Sequence, residues 1–481
     1  VVEDSELKIN ETSTDGKITL NGNILSTDLK NLTLNGNVIA SDQCSSINLN
    51  QGTLESKGTF TAQNDLLINA ICTFEKNVEA KENLTINGTS AFNQTVEVGN
   101  NLTINGNANF ANTVTTGNNL TITGDEININ GAAFAGKSDP FTEGSILLTG
   151  ITKITANSLS ATKDITLNAN VIETAALNAA KDVTIEGTTI KAAAVNAANN
   201  IFINKDSEVL EQTLNITGDV SSNNFEVVAK TQTFGGTISV TNDFTAEGET
   251  FTFAGKVSVK QDAKIQNTGL LKISDFVYGK SFVQKGSESE IGQVMISGSF
   301  EQSGESGESE NPNATFGSNV YFYNSSQNSS PITIGSDKSS IIIGGNLIIA
   351  KSKENDVAIK GFVKSNNFAL YSGNVDLSGN LSTINDVVIL GENYSLKDEQ
   401  TGIENLYSYT ENRPAHWSQA SYTFETSLPD GTSLPDGTIS KKYVGTVKVL
   451  PEKSITVGKN LYANGTVFAL SGALGSGKWK L

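Results

Sequence analysis

Residues 66–119 read LLINAICTFEKNVEAKEN (66–83), LTINGTSAFNQTVEVGNN (84–101) and LTINGNANFANTVTTGNN (102–119), one 18-residue phrase written three times. Leu66, Leu84 and Leu102 open the copies, and Ile68, Ile86 and Ile104 follow two residues later. Phe74, Phe92 and Phe110 hold the ninth position, and Val78, Val96 and Val114 the thirteenth. Fixed self-similarity at a short period belongs to repeat architectures, whose units bury an apolar face only by stacking on their neighbours. Within a copy the alternation of apolar and polar residues (Leu84-Thr85-Ile86, Val96-Glu97-Val98) has a period of two, which specifies strand rather than helix. Asn87-Gly88 and Asn105-Gly106 then supply the corners, because asparagine and glycine best tolerate turn backbone.

Asn-Gly between alternating runs is also a hairpin signal, so an antiparallel meander is the rival. A meander does not require leucine to return onto leucine at constant spacing, whereas a solenoid places each residue above its counterpart one coil earlier. The expected fold class is therefore all-β: a single elongated parallel β-solenoid with about 18–19 residues per coil and loop insertions. Coil phrases from the first residues to about 390 assign 1–390 to the solenoid, and Ile455-x-Val457-Gly458-x-Asn460-Leu461 assigns 447–481 to returning coils. The same phrase stands at Val96–Leu102 and Ile341–Leu347.

Several stretches depart from the repeat. Ile18-Thr19-Leu20-Asn21-Gly22 and Leu32-Thr33-Leu34-Asn35-Gly36 are only 14 apart, which predicts first coils that are smaller or irregular. Residues 125–145 lose the register and are expected to form a side loop. Within 285–312, the runs Ser287-Glu288-Ser289-Glu290 and 304–310 are polar enough to be expected as loops flanking a strand at Val294–Ile296. Alanines at 175–176 and 192–194 replace the bulky residues of earlier copies, which predicts a narrower coil; an alanine-rich helix is the alternative over 174–200.

Composition narrows the function. Of 481 residues, 33 are basic and 51 acidic, giving a net charge of −18, and the lysines are spread among carboxylates, with Lys441 and Lys442 the one adjacent pair. Nucleic acid is thus not an expected partner, since phosphate binding needs clustered cations. No apolar run reaches the roughly 18 residues that span a bilayer, so no membrane span is expected. Val1 opens directly onto acidic and polar residues, so an export signal is not expected within this stretch of chain. Cys44 and Cys72 are either bridged between coils or two small core residues. One histidine and two cysteines offer no zinc-ligand spacing, and no metal or cofactor is expected.

Catalysis is not expected either. Asp125, Glu126 and Asp139 come nearest to a carboxylate cluster, but no arginine or histidine supports them, and no phosphate loop or nucleophile elbow occurs. The candidate binding residues lie in an aromatic-rich insertion at 391–446: Tyr407, Tyr409, Arg413, His416, Trp417 and Tyr422, holding the only arginine and the only histidine of the chain. Aromatic and arginine side chains contribute most at binding hot spots, and tryptophan beside tyrosine also suits a sugar ring. Alternatively these rings pack a small hairpin onto the flank of the solenoid.

The strings Gly-Asn-Asn-Leu-Thr-Ile-Asn-Gly (99–106) and Ala-Lys-Asp-Val-Thr-Ile-Glu-Gly (180–187) make residues 60–204 resemble the right-handed β-helix repeats of filamentous-haemagglutinin-like exoproteins and autotransporter passenger domains. The resemblance implies a protein of a bacterial surface or secreted from it, with adhesion to a protein or glycan of a host or neighbouring cell. A structural subunit of an extracellular filament, sheath or coat, associating end to end through exposed strand edges, is the second reading. A polysaccharide-active β-helix enzyme is the third.

Overall fold

A computed structural model of the chain describes residues 5–10, 17–26, 29–138, 141–205, 211–279, 281–296, 300–303, 313–317, 320–323, 332–350, 356–385, 387–389, 395–398, 422–425, 445–449, 453–458, 461–463 and 466–469. No helix occurs among these residues. The chain adopts the expected fold class, an all-β parallel β-solenoid with about 19 residues per coil. It divides into two compact units, Val1–Gly236 and Thr237–Leu481.

In the first unit each coil contributes three strand faces. On the first face Leu66, Leu84, Leu102 and Leu120 stand above one another, followed by Ile146, Ile165, Val183 and Ile201. The second stacks Phe74, Phe92, Phe110 and Ile129, and the third stacks Val78, Val96, Val114 and Ala133. All of these side chains are buried. Parallel pairing of identical residues follows from the constant period, because each inward position meets its own copy one rung away. The rings of Phe74 and Phe110 stack on that of Phe92 at centroid distances of 5.2 and 4.6 Å, both 7° from parallel.

The second unit keeps three columns without the strict repeat. Ile238, Val257, Val277, Val294, Val320, Leu347, Phe368 and Val387 form one of them in register. Near the insertion, Val375 pairs with Val447, Leu381 with Ile455 and Val387 with Leu461. Two coils therefore stack directly although 391–444 lies between them in sequence; Gly445 and Thr446, expected within the insertion, already belong to the returning strand Gly445–Val449.

Three expectations about local structure are corrected. The close spacing of similar phrases near the start does not mark a coil: Ile18–Leu20 pairs with Val38–Ala40, while Leu32 pairs with Leu54, so the two phrases occupy different faces. The coils there are irregular, as one of the two alternatives has it, but longer than those of the strict repeat rather than smaller, stepping from Ile18 to Val38 and from Val38 to Phe60. The loop expected at 125–145 is shorter, because Leu120–Ala135 is one strand in which Ile127 and Ile129 take the places next to Ala108 and Phe110. Gly124, Asp125 and Glu126 interrupt the phrase without interrupting the stack; what departs from it is the antiparallel pair of Lys137–Ser138 with Phe141–Thr142, while the backbones of Gly136, Gly144 and Ser145 still bond to neighbouring coils. Likewise the Ser-Glu run at 287–290 lies within the strand Ser281–Ile296 rather than in a loop, with Ser289 buried and Glu290 opposite Thr315. Pairing on both edges sets that strand, and residues facing water on its outer side are free to be polar. The phrase shared by Val96–Leu102 and Ile341–Leu347 lies in solenoid strands at both places, as expected of a coil phrase, and it marks different corners. Val96 belongs to the third face, whereas Ile341 continues through Val363 and Leu381 to Ile455 on another column.

The alanine-rich stretch 174–200 is built of strands joined by short corners, not of helix. Val171–Ala179 and Thr189–Ala197 pair in register from Val171 opposite Thr189 to Ala179 opposite Ala197.

Candidate functional site

Of the candidate binding residues, Tyr407, Tyr409, Arg413, His416 and Trp417 lie outside the described residues. Tyr422 opens the strand Tyr422–Glu425, which runs antiparallel to Ser395–Asp398 with Tyr422 opposite Asp398. The described part of the insertion is therefore a two-stranded antiparallel piece separate from the parallel sheet. Of the carboxylates nearest to a cluster, Asp125 accepts a hydrogen bond from Thr152 Oγ1 at 2.5 Å and Glu126 stands opposite Lys153; Asp139 lies outside the described residues. No group of three or more metal-ligating side chains gathers among the described residues. None of these residues forms a helix long and apolar enough to cross a membrane.

Two grooves in the first unit were not legible as sites. The first, about 620 Å³, runs along the corner after the third face, on a floor of Ala135, Ala161, Ala179 and Ala197. Its wall is a single outward column in which Phe134 stands opposite Ser160, Ser160 opposite Asn178, Asn178 opposite Asn196, and Asn196 opposite Ser221. Asn196 Nδ2 donates to Asn178 Oδ1 at 3.1 Å. The Phe134 ring is 42% exposed. Alternation explains the arrangement: inward alanines are too small to push the corner outward, and the residue before each of them faces water. No lining residue carries a charge.

The neighbouring turn is tied down. Thr142 Oγ1 donates to the Gly117 carbonyl at 2.6 Å, Gly144 N donates to Thr162 Oγ1 at 2.8 Å, and Thr162 Oγ1 donates to the Thr142 carbonyl at 2.7 Å. Glu143 receives Lys181 at 2.9 Å and Lys163 at 3.7 Å. The hydrogen bond from Lys181, with its charge, holds the Glu143 carboxyl below the usual glutamate range. Lys163 and Lys181, beside the lining residues Thr162 and Ala180, are thus paired with Glu143.

The second groove, about 690 Å³, follows the corner between the first and second faces and is lined by Asn48, Asn69 and Asn87 with Ile71, Thr89 and the backbone at Gly88 and Gly106. Asn105 Nδ2 donates to Asn87 Oδ1 at 2.8 Å, and Asn87 Nδ2 to Asn69 Oδ1 at 2.7 Å. The corner asparagines identified as turn residues therefore also form an amide ladder.

Cys44 and Cys72 are both free and buried, which decides between the two alternatives for them. Comparison of the chain with protein-family models, with curated proteins and with solved structures finds no match.

Proposed function

We propose that this chain is a non-catalytic β-solenoid protein of a bacterial cell surface or secretion, an adhesin that presents side insertions to a protein or glycan on a host or neighbouring cell. The observation that carries this reading is the closure of the ladder around the insertion: Val375 meets Val447, Leu381 meets Ile455 and Val387 meets Leu461. A stack that closes without the intervening residues leaves them free of the packing constraints that fix every inward position. Recognition belongs on such segments, where sequence changes without disturbing the scaffold. The aromatic, arginine and histidine residues at 407–422 are concentrated there.

Replacing 400–440 with a short Gly-Ser bridge tests the reading. The strand signature in circular dichroism is expected to persist, while retention of the labelled chain on cell monolayers falls sharply. A deletion variant that folds and still adheres would place recognition on the ladders, and one that unfolds would make the insertion a structural plug.

A further inference from the structure

We propose that the groove along Phe134, Ser160, Asn178, Asn196 and Ser221 binds a neutral polysaccharide strand laid lengthwise across the coils. This inference concerns the first unit and does not rest on the insertion at 391–446.

Three observations carry it. The first is charge. The chain holds 33 basic and 51 acidic residues, yet no residue lining this groove is charged. The contrast lies within one column, which carries Glu79 opposite Glu97, passes Thr115, and is neutral from there through Phe134 to Ser221. A phosphorylated or uronic polymer would find no cation in the lining, and the nearby Lys163 and Lys181 are engaged by Glu143. A basic peptide would find no carboxylate there either. The occupant that matches is uncharged.

The second observation is the kind of polar group. An amide carries two N–H donors and two acceptor lone pairs, and the bond between Asn196 and Asn178 uses one donor and one acceptor. Donors and acceptors therefore remain side by side on successive rungs, joined by the hydroxyls of Ser160 and Ser221. Paired hydroxyls of a sugar, each both donor and acceptor, satisfy such a row; an apolar ligand would desolvate it without return.

The third is the exposed Phe134 ring at one end of the row. An aromatic face beside amides accepts the apolar face of a pyranose ring while the amides take its edge hydroxyls. The alanine floor by itself points to no ligand, and its part is to give depth. From Phe134 to Ser221 the column spans five rungs, about 19 Å at the strand spacing, a length that favours a chain over a single sugar.

The test uses the full chain and isothermal titration with hexasaccharides and disaccharides of β-linked glucose and of N-acetylglucosamine, with oligogalacturonate as the acidic control. Binding is expected for a neutral hexasaccharide, tighter than for its disaccharide, and at least tenfold weaker in Phe134→Ala. Asn178→Asp with Asn196→Asp is expected to weaken it comparably while leaving the circular dichroism unchanged, because the same column already accommodates Glu79 opposite Glu97. Phe134→Trp, which keeps an aromatic face, is expected to restore binding. Deleting 400–440 is expected to leave this affinity unaltered, which separates the groove from the insertion. Absence of binding to every neutral hexasaccharide, tighter binding of oligogalacturonate, or equal affinity in Phe134→Ala would overturn the proposal.

Discussion

Phe92 has a phenylalanine ring on each face, at 5.2 Å toward Phe74 and 4.6 Å toward Phe110, and is 1% exposed. Truncation leaves a cavity that neither neighbour fills without leaving its own rung. Phe92→Ala is therefore expected to lose about 3–5 kcal/mol of unfolding free energy, measured by chemical denaturation. A loss under about 1 kcal/mol would mean that the stack relaxes. Cys72 lies on the same face one coil earlier, in the strand of Phe74 and in register with Leu54 and Ser90, and burial pushes its thiol up to about 12. Almost no thiolate exists near neutral pH, and the thiolate is the reactive species. Iodoacetamide is expected to label Cys72 in denatured protein and to spare it in the folded chain, as peptide mass spectrometry will show. Gly88 has another constraint: a Cβ there would collide with the Ala70 carbonyl oxygen, so the asparagine-glycine corner is needed for close backbone approach as well as for turning.

At the scale of elements, the turn at 136–145 is held by hydrogen bonds from Thr142 and to Thr162 and by the Lys163–Glu143–Lys181 group. Glu143 is depressed in the folded chain, so its contribution is present above the ordinary glutamate pKa and is lost as pH falls through the lower, folded value. The amide resonances of Gly136 and Gly144 are expected to follow that single titration by NMR, with a midpoint below the ordinary glutamate range. Glu143→Gln should abolish the titration. An unchanged titration in that variant would assign the clamp to the threonines alone. The strand Leu120–Ala135 shows why this turn looked longer in sequence. Its apolar positions resume at Ile127 and Ile129 after a one-residue slip relative to Ala108 and Phe110, so a fixed-period reading loses them while the backbone ladder absorbs the slip.

At the scale of the whole molecule, stability in a stack comes from each coil and its immediate neighbours. A lesion at Phe92 is therefore expected to raise amide exchange first in Leu66–Phe74 and Leu102–Asn105, the strands its coil pairs with, and less at Val171–Ala179. Hydrogen exchange with peptide resolution checks this gradient. Uniform acceleration across the first unit would instead show a single cooperative block. Deletion of 400–440 makes the complementary point in the second unit, since the columns at Val375, Leu381 and Val387 close without it.

Periodicity alone determined the fold class, the parallel ladders at Leu84, Phe92 and Val96, and the strand character of the alanine-rich coils, because an inward position repeated at a fixed period has one economical way to bury itself. Tertiary structure decided which face each phrase occupies, as at Ile18 and Leu32 or Val96 and Ile341, since short alternating phrases look alike on every face and only pairing tells them apart. It also decided the grooves. Phe134, Ser160, Asn178, Asn196 and Ser221 are unevenly spaced along the chain, with wider steps at both ends of the series than in its middle, so the column is hidden in the sequence and only the hydrogen-bonded rungs bring it into line.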